Sequence, residues 1–189
     1  MNELEFIRSQ IALEYGHAAA VRTACSTALG TAAAPASAGE FLGVCANYLV
    51  FADRRGEIRD TTHLDLLRPQ IAAGEREAQA LLGELQRSLP IRRSALDRLA
   101  AAIDPDRAAA ATAAENQMTQ AAPIEALLHD YLASHAGVHA NQRALLTLCD
   151  SHYDIMQWRQ AAGVDADSIL EERERYARVV ASLPDGLMP

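Results

Sequence analysis

Lysine is absent from this sequence, and aromatic side chains make up only 5% of its 189 residues. Arginine supplies all 17 basic residues, and 25 acidic residues outnumber them, which leaves a formal net charge of −8. Nucleic acids and anionic membrane surfaces attract basic protein faces, so this charge balance argues against both as partners. The sequence therefore predicts a protein that binds neither nucleic acid nor membrane.

Long apolar runs and a secretion signal are also missing. No uninterrupted hydrophobic stretch approaches the ~20 residues that a membrane-spanning helix needs. The chain begins Met-Asn-Glu-Leu-Glu, which is acidic where a signal peptide is basic. The three cysteines are odd in number and lie in apolar surroundings, as free thiols do in a reducing compartment. We therefore expect a soluble, cytoplasmic protein.

What the sequence does contain is alanine and apolar residues at helical spacing. Alanine favours helix because it loses no side-chain entropy there, and Asn2 with Glu5 has the spacing of a capping box. We predict one domain over residues 1–189, all-α, an up-down antiparallel bundle of four main helices plus one or two short extra helices. The predicted helices are 2–29, 37–67, 74–89 with 91–103 after a break or kink at Pro90, 123–158, and a last helix capped by Asp167 or Ser168. The alanine-rich stretch 107–120 is either a thin helix or a connector.

Histidines of the predicted central helix suggest a metal site. His135 and His139 form an H-x-x-x-H pair, and on a continuous helix both rings would project from one face and reach one ion. Glu125 and His129 repeat the same spacing earlier in that helix. Bundle interiors lined with Glu and His are how di-iron and di-manganese sites are built.

A metal shell would need ligands from other helices, and His63 and Glu14 are the best candidates. The predicted metal ligands are His135, His139, His63, Glu125 and Glu14. Imidazole and carboxylate suit iron, manganese or zinc, and the sequence does not choose among them. The alternative is structural, because histidines at the edge of an apolar stripe are often hydrogen-bonded boundary residues.

No catalytic residue is predicted, since the sequence lacks a Gly-rich phosphate loop, a C-x-x-C pair, H-E-x-x-H and G-x-S-x-G. Two functions stay open. The first is a metal-binding bundle for oxygen or redox sensing or for metal-assisted chemistry. The second is a non-catalytic interaction module or regulatory homodimer without metal.

Three features are shared with a known family: His17 near the middle of the first helix, Leu-Asp-Leu-Leu-Arg-Pro at 64–69, and the H-x-x-x-H of His135 and His139. In these the chain resembles the hemerythrin-like bundles, up-down four-helix proteins that bind a non-haem di-iron centre. The family's H-x-x-x-E corresponds here to Gly-Glu-Ile-Arg-Asp at 56–60, without histidine, and its H-x-x-x-x-D is missing. The resemblance therefore implies a degraded centre with one ion or none.

Overall fold

The computed structural model describes residues 2–30, 37–104 and 123–184, except for the side chains of residues 37 and 38. Every regular element within those ranges is a helix, which confirms the all-α prediction for this part of the chain. The helices are α1 (Glu3–Gly30), α2 (Ser37–Leu67), α3 (Arg76–Ile103), α4 (Ile124–Ser134), α5 (Val138–His152), α6 (Ile155–Ala162) and α7 (Ala166–Ala181). None of these helices is both long and apolar enough to cross a bilayer. The stretch predicted at 107–120 lies outside the described residues.

The first helix begins where its capping signal predicts. The Asn2 side chain accepts a hydrogen bond from the Glu5 amide at 2.8 Å, and the Glu5 side chain accepts one from the Asn2 amide at 3.0 Å. These two bonds satisfy amides that have no partner inside the helix. The prediction for the start of α1 is confirmed to within one residue.

Of the two alternatives predicted at Pro90, a break or a kink, the break is wrong, because α3 continues through this residue. Proline removes one backbone hydrogen bond and crowds the preceding turn, at a cost of about 3 kcal/mol in a helix interior. Leu82 and Leu85 are buried before Pro90, and Leu96 and Leu99 are buried after it. Burial on both sides offsets the local cost, so both halves stay in one helix.

The predicted helix 123–158 is also wrong, because the structure divides it into α4, α5 and the start of α6. Gly137 has φ +79°, a left-handed conformation that ends α4 and precedes α5. Tyr153 is extended after α5, and Asp154 then caps α6 by accepting a bond from the Gln157 amide at 2.9 Å. His135 and His139 consequently lie on two different helices, not one turn apart on one face.

The last helix also begins earlier than predicted. Asp165, rather than Asp167 or Ser168, is its cap, and its side chain accepts a bond from the Ser168 amide at 2.8 Å. The Ser168 hydroxyl oxygen accepts the Asp165 amide in return, at 3.1 Å. Ser168 therefore belongs to the capping box of α7 as its third residue.

Consecutive long helices lie against each other, with α1 on α2, α2 on α3, and α3 on α4. The first two of these pairs run antiparallel, as their ion pairs show. Arg22 of α1 binds Asp53 of α2, and Glu14 of α1 binds Arg59 of α2. Residue numbers therefore rise along one helix as they fall along the other. Between α2 and α3, Arg54 binds Asp97 and Asp60 binds Arg92. The shorter helices α6 and α7 pack against both α1 and α2.

Two hydrophobic clusters form the interior, and a polar layer lies between them. The first cluster includes Phe41, Tyr48, Leu99 and Tyr131, and the second includes Ile11, Leu67, Leu85, Leu145 and Trp158. In α2 the residues between the clusters are Asp53 to His63, and in α3 the corresponding residue is Arg92. The polar layer contains most of the candidate site residues.

Candidate functional site

Asp53 is the acceptor at the centre of one buried network. Its carboxylate accepts hydrogen bonds from Arg22 Nη1 of α1 at 3.0 Å, from the Tyr131 hydroxyl of α4, and from His135 Nε2 at 2.7 Å. Burial raises the pKa of Asp53, but the hydrogen bond from His135 and the charge of Arg22 outweigh it and lower this pKa to about 2. Asp53 therefore stays ionised and ties α2 to α1 and to the end of α4.

His135 uses both ring nitrogens inside the protein. Its Nε2 faces the Asp53 carboxylate, and its Nδ1 lies 2.9 Å from the Tyr131 carbonyl oxygen and 2.9 Å from Ser134 Oγ. A carbonyl and a carboxylate oxygen only accept, so each ring nitrogen faces an acceptor within the protein. His135 follows the last residue of α4, where helix carbonyls favour a positive charge. This ring is therefore a helix cap and an ion-pair partner.

Asp60 is the acceptor of a second network one to two turns further along α2. The Tyr15 hydroxyl donates to it at 2.9 Å, Arg92 Nη2 at 3.2 Å and Gln142 Nε2 at 3.4 Å. Burial raises the pKa of Asp60 above its ordinary value, although the charge of Arg92 opposes the shift. The three donors come from α1, α3 and α5, so this network joins four helices.

Glu14 is occupied by two arginines of α2. Its carboxylate accepts from Arg55 Nη2 at 3.2 Å and from Arg59 Nη2 at 2.7 Å. Arg59 Nε also donates to the Ala162 carbonyl at 3.0 Å, which fastens the end of α6. Glu14 thus works as the counter-ion of two guanidinium groups, and both of its oxygens have a partner.

His63 is buried at the end of the polar layer, beside Cys149 and Trp158 of the second hydrophobic cluster, and is neutral. Its Nδ1 lies 3.1 Å from the Tyr153 hydroxyl and 3.3 Å from Cys149 Sγ, and both of these groups can donate. Burial and the nearby charge of Arg59 lower the pKa of His63 to about 3. Burial also raises the pKa of the Cys149 thiol to about 12, so this pair holds no reactive thiolate at neutral pH.

The remaining predicted ligands have other surroundings. His139, on α5, is partly buried, and burial together with the charges of Arg143 and Arg22 lowers its pKa. Glu125 is exposed in the first turn of α4. His17, the residue shared with the hemerythrin-like pattern, lies 2.9 Å from Glu172 Oε1 and stacks on Tyr176. Each of these side chains belongs to a different local environment.

The predicted ligands do not converge on one point. His135 binds Asp53, and His63 lies ten residues beyond Asp53 on the same helix (63 − 53), which is ~15 Å at helical rise. His63 contacts Cys149, and His139 lies ten residues before Cys149 on α5 (149 − 139), again ~15 Å away. Among the residues that the structure describes, no group of three or more His, Cys, Asp or Glu side chains is arranged to hold a metal ion.

The sequence prediction missed the two acceptors that organise the polar layer. Neither Asp53 nor Asp60 is among the predicted site residues, yet both accept hydrogen bonds inside the bundle. Helical spacing could have identified both aspartates. The buried stripe that includes Tyr48 continues at this spacing through Asp53, Gly56, Asp60 and His63. Charged residues that stay in register with an apolar stripe indicate buried ion pairs.

Comparison with known proteins adds no assignment: no protein-family model, curated protein or solved structure matches this chain.

Proposed function

We propose that this chain is a non-catalytic helical bundle that acts by protein association, with a second copy of itself as the partner. The observation that supports this most strongly is the state of His135. Both of its nitrogens already have oxygen partners within the protein, at 2.7 Å and 2.9 Å. A metal would have to displace Asp53 or the Tyr131 carbonyl, and would leave a buried polar group unpaired.

Exposed apolar side chains support a surface for association on α1, α6 and α7. Phe6 and Leu13 are 39% and 40% exposed and lie seven residues apart, on the same side of α1. Met156 of α6 is 63% exposed and Leu170 of α7 is 58% exposed. We name these four residues the apolar surface. Exposed apolar groups that form one patch are typical of protein-interaction sites, and the proposal takes these four to be such a patch.

The charged groups beside the apolar surface support a second copy as the partner. Arg159 binds Glu3 bidentately between α6 and α1, and Arg175 binds Glu171 on α7. These charges are neutralised within the chain, so two such surfaces can meet without opposing like charge locally. The net charge of −8 still repels at long range. Because salt screens that repulsion, we expect dimerisation to strengthen with salt.

Sedimentation equilibrium with matched variants tests this proposal. We expect the wild type to approach twice its chain mass of 20.4 kDa as concentration rises. The double variant Phe6→Ser/Leu13→Ser should remain at the monomer mass. The control variant Ile58→Ser/Ile91→Ser, which changes exposed isoleucines of α2 and α3, should still dimerise. A wild type that stays monomeric at every concentration contradicts the proposal.

A metal-binding function is the second candidate, and two nitrogen atoms favour it. His63 Nε2 and His139 Nδ1 are buried and have no hydrogen-bond partner among the described residues. Each is free to bind an ion, although the ~15 Å between their positions requires separate sites. The hemerythrin-like resemblance with a degraded centre remains a prediction that belongs to this candidate. Metal analysis of the purified protein separates it from the first.

The finer features of the fold belong to the same proposal. We infer an up-down bundle, supported by the antiparallel α1–α2 and α2–α3 pairs and by contacts of α1 with α4 and α5. We also infer a cytoplasmic location, supported by three buried free cysteines. Fluorescence of a labelled protein in fractionated cells tests the location.

A further inference from the structure

Two small cavities lie on either side of Gln142 in the polar layer. The first has a volume of about 10 Å³, and its lining includes Gly56, Arg92, His135 and Gln142. The second also has a volume of about 10 Å³, and its lining includes Gly56, Arg59 and Gln142. Gly56 of α2 and Gln142 of α5 therefore border both cavities.

Three polar atoms around these cavities have no hydrogen-bond partner in the described part of the chain. They are the donors Arg59 Nη1 and Arg92 Nε and the acceptor Gln142 Oε1. Arg59, Arg92 and Gln142 are only 4%, 8% and 3% exposed. Buried polar groups in native proteins are hydrogen-bonded, so each of these atoms calls for a partner inside the protein. The required partner accepts from a guanidinium N–H and donates to an amide oxygen.

Size and charge restrict what this partner is. A cavity of ~10–15 Å³ admits one water molecule, and an internal water needs two to four polar partners. Larger ligands are excluded by volume. An added ion is disfavoured because Arg59 already pairs with Glu14, and Arg92 already pairs with Asp60. A water molecule fits this volume, and it can both accept a hydrogen bond from a guanidinium N–H and donate one to the amide oxygen.

We propose that each cavity is a specific water-binding site, so that two waters bridge Arg59 and Arg92 through Gln142 Oε1. The resulting chain joins α2, α5 and α3 across the layer that separates the two hydrophobic clusters. It gives the buried guanidinium groups their last hydrogen bonds. It also fixes the Gln142 amide, whose Nε2 donates to Asp60.

Gly56 is the residue that leaves room for these waters. A Cβ atom at position 56 would lie 3.7 Å from Gln142 Nε2 and 3.9 Å from Tyr15 Cε1, which is ordinary contact. An alanine therefore fits without a clash, but its methyl group enters space that borders both cavities. Gly43, in the same helix, has open space at its Cβ position and serves as the matched control.

A high-resolution crystal structure of the wild type tests the proposal directly. We expect an ordered water in each cavity, within hydrogen-bond distance of Gln142 Oε1 and of Arg59 or Arg92. Cavities without ordered water, or a Gln142 oxygen bonded only to protein atoms, would overturn the proposal.

Thermal unfolding of two glycine variants gives a second test. Gly43→Ala should raise Tm by about 2–4 °C, because alanine favours helix. Gly56→Ala should raise Tm less than this, or lower it, because its methyl group displaces bound water. An equal or larger rise for Gly56→Ala would mean that the cavities hold no water of consequence.

Discussion

Acid should destabilise this protein through His63, whose ring is held neutral in the folded state. Its pKa is lowered from an ordinary 6.5 to about 3 by burial, with the charge of Arg59 as the second cause. Between these two values the unfolded chain binds a proton that the folded chain does not. The free energy of unfolding therefore falls as pH falls below 6.5, and this contribution is fully present above that pH.

The size of the effect follows from the width of that pH window. One pKa unit corresponds to about 1.4 kcal/mol, so at about pH 5 the loss from His63 is about 2 kcal/mol. A loss of that size is a large part of the ~5–15 kcal/mol that stabilises a typical domain. The larger cause is burial, and the nearby charge of Arg59 is the second.

Urea unfolding of the wild type and of His63→Gln, at neutral pH and at about pH 5, isolates this contribution. Glutamine keeps an acceptor and does not titrate, so the variant should lose about 2 kcal/mol less than the wild type on acidification. The five other histidines contribute equally to both proteins and cancel in the difference. His129→Gln, on the exposed surface of α4, is the control and should behave like the wild type. Parallel pH dependence of wild type and His63→Gln would refute the assignment of a neutral buried ring.

Three further changes test the buried layer and the helix ends. Asp53→Asn should lower the free energy of unfolding in urea by about 3–5 kcal/mol, because it leaves His135 and Arg22 without their buried counter-ion. The control Asp97→Asn, at an exposed ion pair with Arg54, should change this free energy little. Equal losses in the two variants would contradict a special role for the buried pair. Pro90→Ala should raise the unfolding free energy by about 1–3 kcal/mol, since it restores a backbone bond in α3, and a loss of stability would show that the proline is required. Asp154→Ala should cost about 1 kcal/mol by removing the cap of α6, and an unchanged urea midpoint would contradict the capping role.

The beginnings of the helices were predictable where a cap and an apolar stripe agree. Asn2 with Glu5 located the start of α1, and the predicted helix 37–67 has the bounds of α2. Pro90 misled the prediction because propensity is a local effect, and the buried leucines on both sides outweigh it. The break at Gly137 depends on a left-handed backbone conformation, which a sequence pattern permits but does not require.

The burial of two predicted histidines was easier to predict than their contacts. His135 and His63 were correctly placed near the interior, since both are buried. Their partners, Asp53 and Cys149, come from other helices, and helical spacing within one segment contains no information about such pairs. Asp53 and Asp60 were not singled out, because their partners also lie on other helices. A buried charge is stable here only because a guanidinium or imidazole group from another helix meets it.

The interior histidines and carboxylates bind one another, and we propose that the protein acts through its surface without a metal. The most direct test is the metal content of protein purified without a histidine tag or chelator, measured alongside the His135→Ala/His139→Ala double variant. We expect iron, manganese and zinc far below one ion per chain in both proteins. Near-stoichiometric metal in the wild type that is lost in the double variant would contradict it.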